Sequence, residues 1–161
     1  MFDKPIQDYY PAEIAICYGC GRENPQGLHI KTHWDGETGV CRFTPRPEHT
    51  AFPGFVYGGL LASLIDCHSI GTAIAAMYTH EGRDPAADTS ITCVTGKLDI
   101  SYKRPTPMGP ELLLRATISE LGARKAIVAC TLEAAGAVCV VGETVAVRVE
   151  SRAGMQGHHP A

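Results

Sequence analysis

The chain has 161 residues, 45% of them hydrophobic and 19% charged, with a formal net charge of −3. That length supports one domain with its own core, and the composition is that of an ordinary globular protein. The acidic balance excludes the basic footprint of a nucleic-acid binder; Lys103-Arg104 and Arg124-Lys125 are local basic pairs, suited to a small anionic ligand or to solvated strand ends.

Met1 to Tyr10 carries no apolar core region, so no secretory leader is expected. Seven Cys form no regular framework and point to free thiols in a reducing, cytoplasmic setting. Cys17-Tyr18-Gly19-Cys20-Gly21 is a Cys-x-x-Cys knuckle. A tetrahedral zinc site takes four ligands and no second such pair exists, so no metal is expected. No strand–helix unit of the thioredoxin kind surrounds it either. It reads as a tight turn in a loop-like N-terminal arm, residues 1–27, punctuated by Pro11, Asn24-Pro25 and Gly27.

Leu28 to Trp34 alternates apolar and polar, which predicts a half-buried strand. Asp35-Gly36 signals a turn and Val40 to Phe43 the returning strand. Pro45, Pro47 and Pro53-Gly54 hold a loop open before a helix from Tyr57 or Gly58 to about Thr79. That helix is apolar around most of its circumference and therefore buried on most sides. A membrane span is not expected, because Pro53, a Gly pair, Asp66 and His68 interrupt the run. Strands follow at Ile91–Arg104, Glu111–Glu120, Arg124–Glu133 and Val138–Val149. The tail 151–161, rich in Gly, His and Pro, is expected to be disordered, leaving a folded domain over 28–150. Two strands, one long helix and four strands predict an α+β architecture, a curved antiparallel sheet wrapped around one long central helix. A second copy would cover the last helix face and the open sheet edge.

Histidines aside, Asp66 is the only charged residue between Glu48 and Glu81. An Asp in such a run either escapes to solvent or caps a turn, or it is a desolvated carboxylate with a raised pKa, suited to acid–base work. Gly58 and Gly59 fall at the helix start, where backbone N–H groups lack intrahelical partners and the dipole favours negative charge. Such donors can polarise a carbonyl. Ser63 and Ser69 can reach toward Asp66, although mid-helix Ser more often bonds its own backbone. Cys67 and His68 make no nucleophile pair, since adjacent helix residues do not face each other.

Three stretches carry a family resemblance: Pro53-Gly54-Phe55-Val56-Tyr57-Gly58-Gly59 with Asp66 eight residues after Gly58; Thr95 to Pro105; and Cys20-Gly21 with Asn24-Pro25 and Gly27-Leu28. With the element order, this resembles the hotdog fold, and more narrowly the PaaI-like acyl-CoA thioesterases. The resemblance implies hydrolysis of an acyl-CoA thioester at the interface of a homodimer or homotetramer. It implies no cofactor beyond the coenzyme A of the substrate, no nucleic acid and no membrane. The Gly58 N–H, beside Gly59, would polarise the thioester carbonyl. Asp66 would act as general base for water or as nucleophile. Thr95 either holds the attacking water or is an ordinary strand Thr. Tyr102, Lys103, Arg104 and Pro105, and separately Arg124, would line the path of the CoA phosphates, with Ser63 near the substrate. Tyr57 stands where the family usually has His before the Gly pair; Tyr keeps a polar hydrogen but does not titrate near neutrality. His49, in the loop before it, either substitutes in part or is a solvated loop His. Tyr57 keeps open a different class of function, a non-catalytic acyl-CoA or lipid-binding hotdog protein. The Asp/His motif of hydratases on this fold is not found.

Overall fold

Six strands surround a single long helix in the structure, a computed structural model that describes residues 2–149. The tail 151–161, for which composition predicts disorder, lies outside the described residues, as does Glu150. The strands are β1 (His33–Trp34), β2 (Thr38–Phe43), β3 (Thr92–Tyr102), β4 (Leu112–Leu121), β5 (Lys125–Ala134) and β6 (Ala137–Val149); the helix, α1, spans Gly58–Glu81. All pairings are antiparallel, in the order β1-β2-β4-β5-β6-β3. The predicted curved sheet around a central helix is the architecture found.

Apolar residues recur on every side of α1, so the sheet must take most of its surface. Leu60, Leu61, Leu64, Ile65, Ala73 and Met77 are buried. They meet the inward rows of the sheet, among them Leu112, Leu114, Val128, Leu132 and Val140. This packing accounts for a helix long and apolar enough to cross a membrane by composition, with 72% of its most hydrophobic window buried. The helix ends where Gly82 turns left-handed (φ 63°) and the Arg83 N–H closes on the Tyr78 carbonyl at 3.0 Å.

Two segments differ from their sequence expectation. Leu28–Trp34 keeps its alternation, with Leu28, Ile30 and Thr32 buried, but only His33 and Trp34 pair in the sheet. His29 adopts a left-handed backbone (φ 54°), which breaks a strand. The N–H groups of Leu28 and Ile30 instead reach the carbonyls of Tyr18 and Gly19 in the arm. That arm is more than a loop. It carries short 3₁₀ turns at Ile6–Tyr9 and Ala12–Ile14, and the first of them joins the hydrophobic cluster of α1 through the buried Ile6 and Tyr9. It thus covers part of the helix surface.

A buried polar relay fastens the arm to the helix. The Gln7 amide donates to the Thr32 hydroxyl (3.0 Å), and its carbonyl accepts the Thr32 N–H (2.8 Å). The ring of His68 lies between the Thr32 hydroxyl (2.9 Å from Nδ1) and the Gly39 carbonyl (3.2 Å from Nε2). A carbonyl only accepts, so Nε2 carries the proton and Nδ1 accepts from Thr32. Burial pushes the His68 pKa down to about 4 and keeps the ring neutral. Breaking a satisfied buried network leaves its partners desolvated and a cavity behind. His68→Ala is expected to cost about 2–4 kcal/mol in denaturant unfolding, against less than about 0.5 kcal/mol for the exposed Glu37→Ala. A cost for His68→Ala no larger than that control would mean the relay is idle.

Candidate active site

The middle of α1 turns Asp66 away from the core into a cavity of about 290 Å³. The cavity lies between the helix, the start of β3 and the N-terminal arm. Tyr10, Cys17, Cys20, Ile70, Cys93 and Thr95 are among its lining residues. Asp66 is half-buried, and desolvation pushes its carboxyl pKa up; a hydrogen bond from Thr95 opposes that shift. The Thr95 hydroxyl donates to Asp66 Oδ1 at 2.6 Å, which sets it against the carboxylate. A β-bulge puts it there. Thr95 pairs with Ala146 and Lys97 with Val145, leaving Gly96 as the extra residue. The bulge changes the strand's parity. Cys93 and Thr95 face the helix before it, Leu98 and Ile100 pack on the core after it, and Lys97 and Asp99 stay exposed.

At the N-terminus of α1 the donors that the sequence suggests are present. The N–H groups of Leu60 and Leu61 bond the Tyr57 carbonyl, at 3.1 and 3.3 Å, whereas those of Gly58 and Gly59 have no acceptor among the described residues. The Tyr102 hydroxyl donates to the Gly58 carbonyl (2.8 Å), which brings the end of β3 beside the helix start. Gly58 and Asp66 stand about 12 Å apart along one helix. A single chain therefore does not bring the amide and the carboxylate to one carbonyl group.

The other candidates divide between these two ends. Tyr102, Lys103, Arg104 and Pro105 are exposed near the Gly58 end. Arg124 accepts the Arg148 N–H at its carbonyl, and Arg148 pairs with Cys93, so Arg124 belongs to the end that carries Asp66 and Thr95. Ser63 donates to the Gly59 carbonyl at 2.9 Å, as mid-helix Ser commonly does. His49 is not a solvated loop residue: it is 8% exposed, stacks on Phe43, and accepts the Arg46 N–H at Nδ1 (3.0 Å). Its carbonyl holds the Tyr57 N–H at 2.8 Å. Tyr57, His49 and Ser63 share a second cavity of about 330 Å³ with Tyr18 and Arg46. Cys67 and His68 diverge as helix geometry requires, His68 into the core and Cys67 toward Cys17 and Cys20. Hydrogen bonds from Cys20 and then Cys67 hold the Cys17 thiol well below the ordinary thiol range, while those two are pushed up. Sequence reasoning missed the contribution of the arm to the Asp66 cavity. Its signal was the apolar spacing of Ile6, Tyr9, Tyr10 and Ile14 before the Cys pair.

Residues 53–141, more than half of the chain, match the family model described as Thioesterase superfamily. A crystal structure of a thioesterase superfamily protein from Shewanella loihica PV-4 is 45% identical, with a TM-score of 0.62, covering 74% of this chain and 90% of that one. The PaaI protein of the E. coli phenylacetic acid degradation operon shares the fold at 16% identity, with a TM-score of 0.61 over 76% of this chain and 80% of that one. The acyl-coenzyme A thioesterase THEM4 of Xenopus laevis is 29% identical over 93 residues, 58% of this chain and 36% of that protein. The chain thus spans roughly a third of the length of the curated relatives it matches.

The glycine pair allows a geometric test that needs no substrate. A Cβ on Gly59 would fall 2.4 Å from the Tyr57 ring, so Gly59→Ala must displace that ring. The ring is exposed and swings aside at small cost, so Tyr57→Ala is expected to relieve that cost with a coupling near the lower limit for touching residues, about 0.5 kcal/mol, in a double-mutant cycle on unfolding free energy. Strict additivity would show that the ring does not rest on Gly59.

Proposed function

Because the chain belongs to the thioesterase superfamily, we propose that it hydrolyses acyl-CoA thioesters at a site shared between two copies. The observation that carries this reading is the hydrogen bond from Thr95 to a half-buried, destabilised Asp66 carboxylate at the wall of a cavity. Support for an acyl-CoA substrate comes from the relationship to a protein named as an acyl-coenzyme A thioesterase.

In this proposal the thioester carbonyl oxygen accepts from the Gly58 N–H of one copy, with Gly59 beside it, where the helix dipole favours developing negative charge. Asp66 of the other copy attacks the carbonyl carbon directly or takes a proton from the attacking water, and the thiolate of coenzyme A leaves. Thr95 orients the carboxylate and leaves its own oxygen free to accept from water. Sharing the site follows from the separation of Gly58 and Asp66 along one helix. The docking edge would be β3, which lies at the end of the sheet and leaves Val94 and Tyr102 exposed. Pairing there makes a homodimer, and two such dimers would make a homotetramer. It also brings Tyr102, Lys103, Arg104 and Pro105 of one copy toward Arg124 of the other, a basic path for the CoA phosphates. No cofactor enters this chemistry beyond the coenzyme A of the substrate. Seven unbridged thiols suit a cytoplasmic location.

The test is thiol release from short, medium, long and aromatic acyl-CoAs. Turnover is expected on at least one class. Asp66→Asn should lower kcat/KM by about 10²–10⁴-fold, the usual weight of an acid–base group. Thr95→Val should cost less and leave KM nearly unchanged. Full activity in Asp66→Asn sinks the assignment. CoA-ester binding without turnover selects the second reading, a non-catalytic acyl-CoA or lipid-binding protein. That reading rests on Tyr57 in the place of the family's His.

A further inference from the structure

The knuckle Cys17-x-x-Cys20 lacks ligand partners in sequence, but the fold supplies one. Cys67, on the turn of α1 that carries Asp66, places its Sγ 4.0 Å from that of Cys17, and the sulfurs of Cys17, Cys20 and Cys67 all lie within 4.8 Å of one another. Thiolates sharing one tetrahedral zinc at about 2.3 Å stand about 3.8 Å apart. A disulfide would bring two of them to about 2.05 Å and exclude the third. The backbone is shaped for the triple approach. A Cβ on Gly19, between the two knuckle cysteines, would fall 2.3 Å from Cys67 Sγ. The Gly21 N–H closes the turn on the Cys17 carbonyl at 2.8 Å.

We propose that Cys17, Cys20 and Cys67 bind one thiophilic divalent cation, zinc, which clamps the N-terminal arm to the central helix beside Asp66. Three soft sulfur donors favour zinc over the oxygen-seeking cations. Three protein ligands leave the fourth tetrahedral position to water or a solute from the cavity, whose wall the same three cysteines form. The ion replaces thiol protons on binding, so affinity rises with pH. The clamp joins segments 50 residues apart in sequence, and it sits on the wall of the Asp66 cavity.

The full chain, reduced with a phosphine and stripped of metal, is titrated with zinc against a chromophoric chelator and separately with cobalt(II). One equivalent of each is expected to bind. Cobalt should give thiolate-to-metal charge transfer and the d–d bands of a tetrahedral site, and zinc should raise the unfolding midpoint. Cys17 is exposed, so Cys17→Ser keeps the core. It should abolish the cobalt bands and weaken zinc by more than the about 10–100-fold that loss of an outer-shell partner costs. Gly19→Ala keeps all three thiols and should also weaken zinc by about tenfold or more, because Cys67 is pushed away. Absence of the charge-transfer band in the wild type overturns the proposal. So does zinc affinity in Cys17→Ser equal to the wild type's. None of these readouts uses thioester turnover, so this proposal and the enzymatic one fail separately.

Discussion

A 24-residue helix with apolar side chains on every side has no face to give to water, and the rest of the molecule follows from that constraint. The sheet curls around it because a flat sheet would cover one stripe only. The arm folds back because the sheet still leaves a flank open. Every polar group carried into this setting needs a partner. His68 is held between Thr32 and Gly39. Asp66, on the flank that opens to the cavity, is held by the Thr95 hydroxyl. A charge kept there at an energetic cost is the kind of local disadvantage that functional sites carry.

The sequence showed the element order, the antiparallel sheet and the placing of Gly58 and Asp66, because these depend on periodicity and spacing along the chain. Leu28–Trp34 was half readable: its alternation reports burial correctly, but nothing in the alternation shows that His29 turns left-handed and hands the N–H groups to the arm. His49 was misjudged because proline-flanked loops usually face water, whereas here the loop folds under Phe43 and supports the backbone of Tyr57. The meeting of Cys17, Cys20 and Cys67 was invisible, since it depends on a tertiary contact across the fold. One signal was legible in retrospect. Apolar positions at Ile91 and Cys93 change phase to Leu98 and Ile100 across Gly96, and a phase change inside a strand marks a bulge.

The start and the middle of α1 carry different groups. Its N-terminus offers the Gly58 and Gly59 N–H groups, without an acceptor among the described residues, and a positive dipole end; its middle offers a half-buried carboxylate at a cavity. Because both belong to one helix, their separation within a chain is fixed. In the proposed two-copy site, the spacing of eight residues between Gly58 and Asp66 would constrain assembly as much as local structure.

The bulge at Gly96 makes the length of β3 matter more than the identity of most of its residues. Thr95 and Leu98 both face the helix only because one residue is looped out between them. Losing a single residue there would put the strand back in unbroken alternation, either swinging Thr95 off Asp66 or turning Lys97 and Asp99 toward the core. Along this strand, substitutions that keep polarity can be absorbed, whereas an insertion or deletion shifts the reading frame of the sheet. The tolerance of the site to change is therefore set by counting residues, as in a ruler, before it is set by chemistry.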